Sequence, residues 1–497
     1  SSMGGRERQR QGKYPLCPRP SATNTAQIVS LETHIISNGA LMHPVIEKLK
    51  KNKIDKIKLG IFDVDGIMRG KYVNMKKFSS ALESGFGFCD VVFGWDIADE
   101  LYDKPSVTGW HTGYPDATAM IDENSLREIP WEPGTALFIA DFKYPDGAPY
   151  PACPRQLCKT MLQKAADMGY EVKSAFEYEF FLFDESPHTI REKKYKNLTP
   201  FTPGMFGYSI LRNSVYSDLY HDFIDTCREM NMELEGIHTE TGPGVLEACI
   251  SADNGLAPAD KAALFKTFAK VLAQRWELMA TFMAKWSSEF PGQSGHLHQS
   301  LWNKDGSSAF FDNTKEHNMS DTFQHYLAGQ IKLMPEVLPM IAPTVNSYTR
   351  MIKGFWAPTH ANWGMDNRTC AIRVVPGNTK SHRLEYRIAA ADGNPYLALA
   401  ASIACGLYGI ENKLDLPPMV EGNAYDLKTS PKNVKLPNTL EQSSKAFSKS
   451  KIMRELFGDE WVDHFTLTRQ WESKCYNEQK QGDPDWHWML DRYFEII

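Results

Sequence analysis

Arg368, Arg373, Lys380, Arg383 and Arg387 fall within twenty residues of one another, and Glu385 stands between the last two arginines. In Arg383-Leu384-Glu385-Tyr386-Arg387 the alternate residues are charged, so a strand would send all three charges to one face. A face reading Arg, Glu, Arg makes a poor core, because buried charge is costly unless paired or metal-bound. It makes a good floor for an anionic, metal-bound ligand such as a nucleotide triphosphate. For such a segment standing alone, a stripe of solvated ion pairs is the bland alternative.

Three further segments change that balance. In Phe176-Glu177-Tyr178-Glu179-Phe180-Phe181-Leu182-Phe183, two carboxylates at i and i+2 share one face of an otherwise apolar strand and need a cation beside them. A solvated acidic face on an edge strand is the competing explanation. Glu235-Gly236-Ile237-His238-Thr239-Glu240 leads through Thr241-Gly242-Pro243-Gly244 to Glu247. That turn folds two carboxylates towards one point, although a plain hairpin explains it equally well. Gly295-His296-Leu297-His298-Gln299-Ser300 puts two imidazoles on one strand face behind a Gly/Ser-rich approach. Hard carboxylates with a single His favour Mg²⁺ or Mn²⁺ over zinc. Divalent ions beside an arginine cluster suit phosphoryl transfer, where positioning and charge neutralisation matter most. There is no Walker A motif, so an ATP-dependent ligase or kinase of another fold follows.

These residues need strands to carry them. Lys56–Phe62 and Gly70–Val73 read as strands around the turn Asp63–Gly66, and Leu137–Phe142 is a third. A helix is expected over Pro44–Asn52. Near residue 150 the texture changes to strands alternating with long helices: Arg155–Met168, Asp218–Met230 and Asp260–Lys285, with a strong strand at Val172–Phe183. Asn394–Ile410 reads as a buried helix, and Lys432–Ile497 as mostly helical with a packed aromatic finish. The expected organisation is a disordered tail with a tag remnant over 1–43, a small sheet domain over 44–150 and a larger domain over 151–497.

Over 497 residues the net charge is −6, so no basic surplus points to nucleic acid or to an anionic membrane surface. No apolar run is long enough to span a bilayer. The nine cysteines are scattered, with no C-x-x-C pair, which argues against a disulfide framework and for a reducing, cytoplasmic setting.

In this order the segments resemble the class I glutamine synthetase superfamily. The motifs are E-Y-E-F-F-L-F, G-P-G-x-x-E, G-H-x-H-Q-S-L-W, A-P-T-x-x-x-W-G-x-x-N-R, and R-L-E-Y-R followed by N-P-Y-L. The resemblance implies an α+β fold: an N-terminal β-grasp domain, then a catalytic domain with a curved antiparallel sheet and flanking helices. It implies homo-oligomers of hexameric rings, a dodecamer or decamer, with active sites between neighbours. It also implies an activity in which ATP phosphorylates glutamate and an amine then attacks the acyl phosphate. Glu179, Glu240 and Glu247 would hold one divalent ion, and Glu177, His296 and Glu385 the other. Arg350 and Arg387 would bind substrate carboxylates, and Arg368 would stabilise the phosphoryl group. Arg373, Lys380 and Arg383 would hold nucleotide phosphates, with Glu235, His298 and Ser300 lining the rest of the ATP site.

The departures fall on the amine acceptor. Where the family carries a glutamate that takes a proton from ammonium, this chain has Trp356, which is no base but can cover an alkyl amine or meet a cation with its ring. Asp90 matches the aspartate that a neighbouring subunit lends to the ammonium site, but Val91, Val92 and Phe93 replace the small residues after it. Pro291 and Val245 replace an Asn and a Gln. Tyr425 resembles a position adenylylated in some bacterial enzymes, and a structural turn explains it equally well. The pattern is closest to the γ-glutamyl-polyamine synthetase and lengsin-like branches. The leading reading is a ligase for an organic amine or polyamine, with an acceptor pocket lined by Trp356, Phe93 and Trp95. The alternatives are a glutamine synthetase with a weakened ammonium site and a non-catalytic ring protein.

Overall fold

The computed structural model describes residues 43–144, 146–479 and 485–497. The expected tail before residue 43, with Cys17, lies outside the described residues. By contact the described residues fall into two compact units, residues 43–52 and 53–497. In the first, the helix Pro44–Lys51 starts on a proline, whose fixed φ suits a first turn, and ends on lysines that complement the helix dipole.

The second unit contains two main sheets. The first has five strands: β1 (Lys56–Phe62), β2 (Met68–Asn74), β3 (Phe86–Cys89), β4 (Asp116–Glu128) and β5 (Thr135–Lys143). Their order is β2-β1-β5-β4-β3, and β1 and β5 run parallel at the centre. The helix Met75–Ser84, capped by the Asn74 side chain, buries Phe78 against Phe138 with ring centroids 4.8 Å apart. Full burial of a ring that size contributes roughly 1.5–3 kcal/mol.

The second sheet carries the chemistry. It contains β6 (Tyr170–Phe183), β7 (Leu234–Thr239), β8 (Val245–Ile250), β9 (Asp253–Asn254), β10 (Met279–Thr281) and β11 (Gly295–Asn303). β12 (His360–Ala361) lies outside it, and β13 (Trp363–Met365), β14 (Ile372–Val375) and β15 (Arg383–Tyr386) complete it; β12 pairs with β16 (Val434–Lys435). The main path runs β13-β14-β15-β11-β6-β8-β7, antiparallel apart from the β13–β14 pair. β6 is therefore central, not an edge strand.

Alternation sets the two faces of β6. Tyr178 and Phe180 point to the side where the helix Ala257–Arg275 lies, and Phe265 of that helix meets both rings. Glu177 and Glu179 point to the opposite side. The expected helix over Asp260–Lys285 stops short, at Arg275. Glu277 takes a left-handed φ of 59°, and Met279–Thr281 then pairs with Phe181–Phe183 as β10. Hydrophobic periodicity alone did not distinguish that strand from a helical continuation. The helix Pro395–Glu411 is apolar on nearly every side and buried along almost its whole length, as a helix wedged between other helices must be. The C-terminal finish packs as expected: Phe494 lies 4.8 Å from Phe183 and Trp488 lies 5.7 Å from Tyr493, ring to ring.

Candidate active site

Antiparallel register brings the separate motifs together. His296 on β11 stands opposite Glu177 on β6, His298 opposite Glu385 on β15, Glu247 on β8 opposite Glu179, and Arg373 on β14 opposite Glu385. His296 Nδ1 lies 3.2 Å from Glu177 and 3.3 Å from Glu385. The donor atoms of Glu177, His296 and Glu385 all lie within 4.8 Å of one another, so this expected set converges.

A second set converges beside it, with one unexpected member. His238, Glu240 and Glu247 lie within 4.8 Å of one another. Glu179 is not part of that group: its carboxylate accepts the Ser294 N–H at 2.7 Å. His238 was in the motif that named Glu240, two residues earlier on the same face, and that spacing was the available signal. The turn joining β7 and β8 depends on Gly244, whose φ is +72° and whose missing Cβ would meet Leu182 O at 2.3 Å.

Electrostatics point to a cation. Burial, followed by the charges of Glu177 and Glu179, pushes Glu247 up to about 11. Burial likewise raises Glu179. Glu385 is held at about 2: burial opposes ionisation, but His296 and Arg387 outweigh it. Glu177 is also held down, by its hydrogen bond to His296, against the effect of burial. Crowded carboxylates with one imidazole fit a hard divalent ion, which would remove the repulsion. Glu240 Oε2 and His296 Nε2 are buried without a hydrogen-bond partner.

Next to the first set is a cavity of about 460 Å³. Glu177, Glu235, His298, Ser300, Lys380 and Arg383 line it, so all the residues assigned to the nucleotide except Arg373 share one space with a metal-set carboxylate. Arg383 Nε donates to His298 Nδ1 at 3.1 Å, and burial lowers His298 to about 4, leaving a neutral ring. Arg373 is held by Glu385 at 2.9 Å and by Asp366. Cys249, two residues after Glu247 on the same face of β8, also lines the cavity and donates to Glu177 Oε2 at 3.0 Å.

The remaining arginines differ in their freedom. Arg350 is 1% exposed and donates to the carbonyls of Ile388 and Arg387 and to Ser294 Oγ, leaving Nε without a partner. Burial lowers it to about 10. Arg387 pairs with Glu385 at 2.5 Å and keeps its own Nε unpartnered. Arg368 is exposed in a turn, and its charge acts on the phenol of Tyr208, whose ring lies 4.5 Å from that of His238 at a tilt of 31°. Sequence gave no signal for Tyr208.

Among the acceptor residues, Phe93 is placed differently from the reading above. Phe93 is 0% exposed, packed 5.1 Å from Phe142 and 5.6 Å from Tyr150 in the first sheet's core, so it cannot line an acceptor pocket. Trp95 carries the Arg69 guanidinium 5.3 Å over its ring. Asp90 is buried and accepts from Thr108 at 2.6 Å and Tyr150 at 3.0 Å. Trp356 is 57% exposed with a φ of +60°. Tyr425 sits in a short turn and donates its hydroxyl to Ala357 O at 2.9 Å.

Comparison with known proteins supplies the context. Residues 151–488 match the family described as glutamine synthetase, catalytic domain. The chain is 44% identical over 456 residues to type-1 glutamine synthetase 2 of Dictyostelium discoideum, covering 91% of this chain and 86% of that protein. It is 36% identical to glutamate–isopropylamine ligase of a Pseudomonas species, covering 90% and 97%. It is 34% identical to gamma-glutamylethanolamide synthetase of Streptomyces coelicolor, covering 89% and 93%. A solved structure described as a GmaS/ADP complex superposes with a TM-score of 0.77 at 25% identity, covering 90% of this chain and 99% of that one.

Proposed function

This chain belongs to the glutamine synthetase family, and from that premise we propose that it joins the side-chain carboxylate of glutamate to an organic amine at the expense of ATP. The observation that carries the reading is the convergence of Glu177, His296 and Glu385 at the edge of the cavity lined by Lys380 and Arg383. Carboxylates and cations there are arranged for a metal–triphosphate. Trp356 directs the choice towards a carbon-bearing amine and away from ammonium. An ammonia-using glutamine synthetase is the second reading, favoured by the likeness to the Dictyostelium protein.

Two cation sites follow, one on Glu177, His296 and Glu385, the other on Glu240 and Glu247 with Glu179 or His238. A bound Mg²⁺ or Mn²⁺ supplies positive charge against the phosphate oxygens. Lys380, Arg383 and Arg373 hold the phosphates, while Glu235, His298 and Ser300 line the nucleoside side. Arg368, exposed on the Tyr208 side, neutralises the phosphoryl group as it moves from ATP to the glutamate carboxylate. Arg387, through its unpartnered Nε, holds substrate carboxylate, and Arg350 fixes it by donating to its carbonyl. The amine nitrogen then attacks the acyl carbon, phosphate leaves with the bonding pair, and the ammonium proton passes to the departing phosphate, since Asp90 is buried with both oxygens engaged.

The five-stranded sheet is read as the family's β-grasp domain, residues 151–497 as the catalytic domain, and the assembly as stacked rings. Among the described residues no helix is long and apolar enough to cross a membrane, and a cytoplasmic setting suits these substrates. The test is phosphate release from ATP in the presence of Mg²⁺, glutamate and an amine. Release should be lost in Glu177→Ala and Arg368→Ala; unchanged release in both variants refutes the assignment.

A further inference from the structure

We propose that Cys249, Glu177 and Glu247 form a site for a thiophilic divalent cation of the Zn²⁺ or Cd²⁺ class, overlapping the positions assigned to the hard ions. The donor atoms of these three residues lie within 4.8 Å of one another. The Cys249 Sγ is already 3.0 Å from Glu177 Oε2, while Glu177 Oε1 faces His296. Ligand atoms around a tetrahedral zinc stand about 3.6 Å apart, given metal–sulfur and metal–oxygen bonds of about 2.3 and 2.1 Å. The thiol–carboxylate contact needs to lengthen by about half an ångström, and the widest pair to close by no more than about one. Rotation about side-chain bonds covers both.

An independent feature asks for a cation at the same place. Glu247 is 8% exposed, stands opposite Glu179 in register, and lies 3.8 Å from His238 Nε2. A buried carboxylate among carboxylates gains most from a bound positive charge. A thiolate makes that place selective, because sulfur favours Zn²⁺ and Cd²⁺ whereas Mg²⁺ takes oxygen. Access is through the adjoining cavity, which Cys249 lines.

Coordination exchanges one proton for the metal: the sulfur–hydrogen bond breaks, the proton goes to solvent, and the sulfur pair binds the cation. The soft ion takes Glu177 from the His296–Glu385 set and Glu247 from the His238–Glu240 set. It therefore excludes hard ions from both. Binding does not depend on the ligase reading; only the resulting inhibition of phosphate release rests on it.

The experiment is titration of the whole protein with Cd²⁺, read by the thiolate-to-cadmium charge-transfer absorption. One equivalent should bind with that band, and excess Mn²⁺ should weaken it. Cys249→Ala should lose the band, while Cys89→Ala and Cys475→Ala, at the other half-buried thiols among the described residues, keep it. No band, or a band that persists in Cys249→Ala, overturns the site, and the wild-type titration serves even if that variant does not fold. Failure of phosphate release with a Cys249-dependent band sinks the ligase reading alone; release without the band sinks the cation site alone.

Discussion

Glu179 on β6 and Glu247 on β8 stand directly opposite each other across an antiparallel pair. Like charges directly opposite destabilise a sheet, and burial makes it harder still for both carboxyls to ionise without a cation. Such an arrangement persists where a ligand restores the balance. Glu247→Gln should therefore stabilise the metal-free protein by about 1 kcal/mol and remove most of the gain in melting temperature that Mg²⁺ or Mn²⁺ gives the wild type. Thermal unfolding with and without the ion checks this. A variant that melts lower than the wild type without metal and gains as much from it contradicts the cation role.

Trp356 is more than half exposed on a left-handed turn. A carboxylate there attracts ammonium by charge, whereas an indole covers carbon. Trp356→Glu should raise the ratio of kcat/KM for ammonium over kcat/KM for an alkylamine at least tenfold, within the range that one carbon group commands in a binding pocket. Steady-state kinetics with both acceptors reads this directly. An unchanged ratio removes Trp356 from acceptor choice.

Arg155 ties the five-stranded sheet to the helix Ala257–Arg275. It is 2% exposed and pairs with Asp141 on β5 at 2.9 Å, Asp122 on β4 at 2.7 Å and Asp260 of the long helix at 2.8 Å. Its removal leaves buried carboxylates unmatched, which costs about 3–5 kcal/mol. Arg155→Leu should lower the urea midpoint accordingly; a loss under 1 kcal/mol contradicts the cost assigned to those carboxylates.

His464, in the helix Asp459–Gln479, is fully buried and neither ring nitrogen has a hydrogen-bond partner. Burial, helped by Arg469, lowers it from 6.5 to about 4. Between those values the unfolded chain binds a proton that the folded protein refuses, so stability rises with pH and is lost as pH falls from 6.5 towards 4. The loss by pH 5 is about 2 kcal/mol. Urea unfolding at pH 7 and pH 5 should show it in the wild type, and His464→Leu should flatten the dependence by that amount. Equal pH dependence in both proteins rules out His464 as the cause.

Much of the site was legible because strand alternation is a period of two. The pairs Glu177/Glu179, His296/His298 and Arg383/Glu385 each announce a shared face, and register did the rest. His238, two residues before Glu240, shares its face by the same alternation, whereas the Ser294 N–H that engages Glu179 comes from a distant segment that spacing does not reveal. Phe93 was misplaced since an aromatic following Asp90 reads equally as pocket or core, and only the fold puts Phe142 and Tyr150 around it. The end of the helix at Arg275 was invisible for a related reason: β10 exists because β6 has a free stretch to pair with, which is a tertiary fact.

The most direct test is an amine competition with product identification. The protein is supplied with ATP, Mg²⁺ and glutamate together with equal concentrations of ammonium, methylamine, isopropylamine, ethanolamine, putrescine and spermidine, and the γ-glutamyl products are weighed by mass spectrometry. The account predicts a γ-glutamyl amide of an organic amine as the main product, formed with one phosphate released per amide. Glutamine as the sole product, or phosphate release with no amide at all, would contradict it.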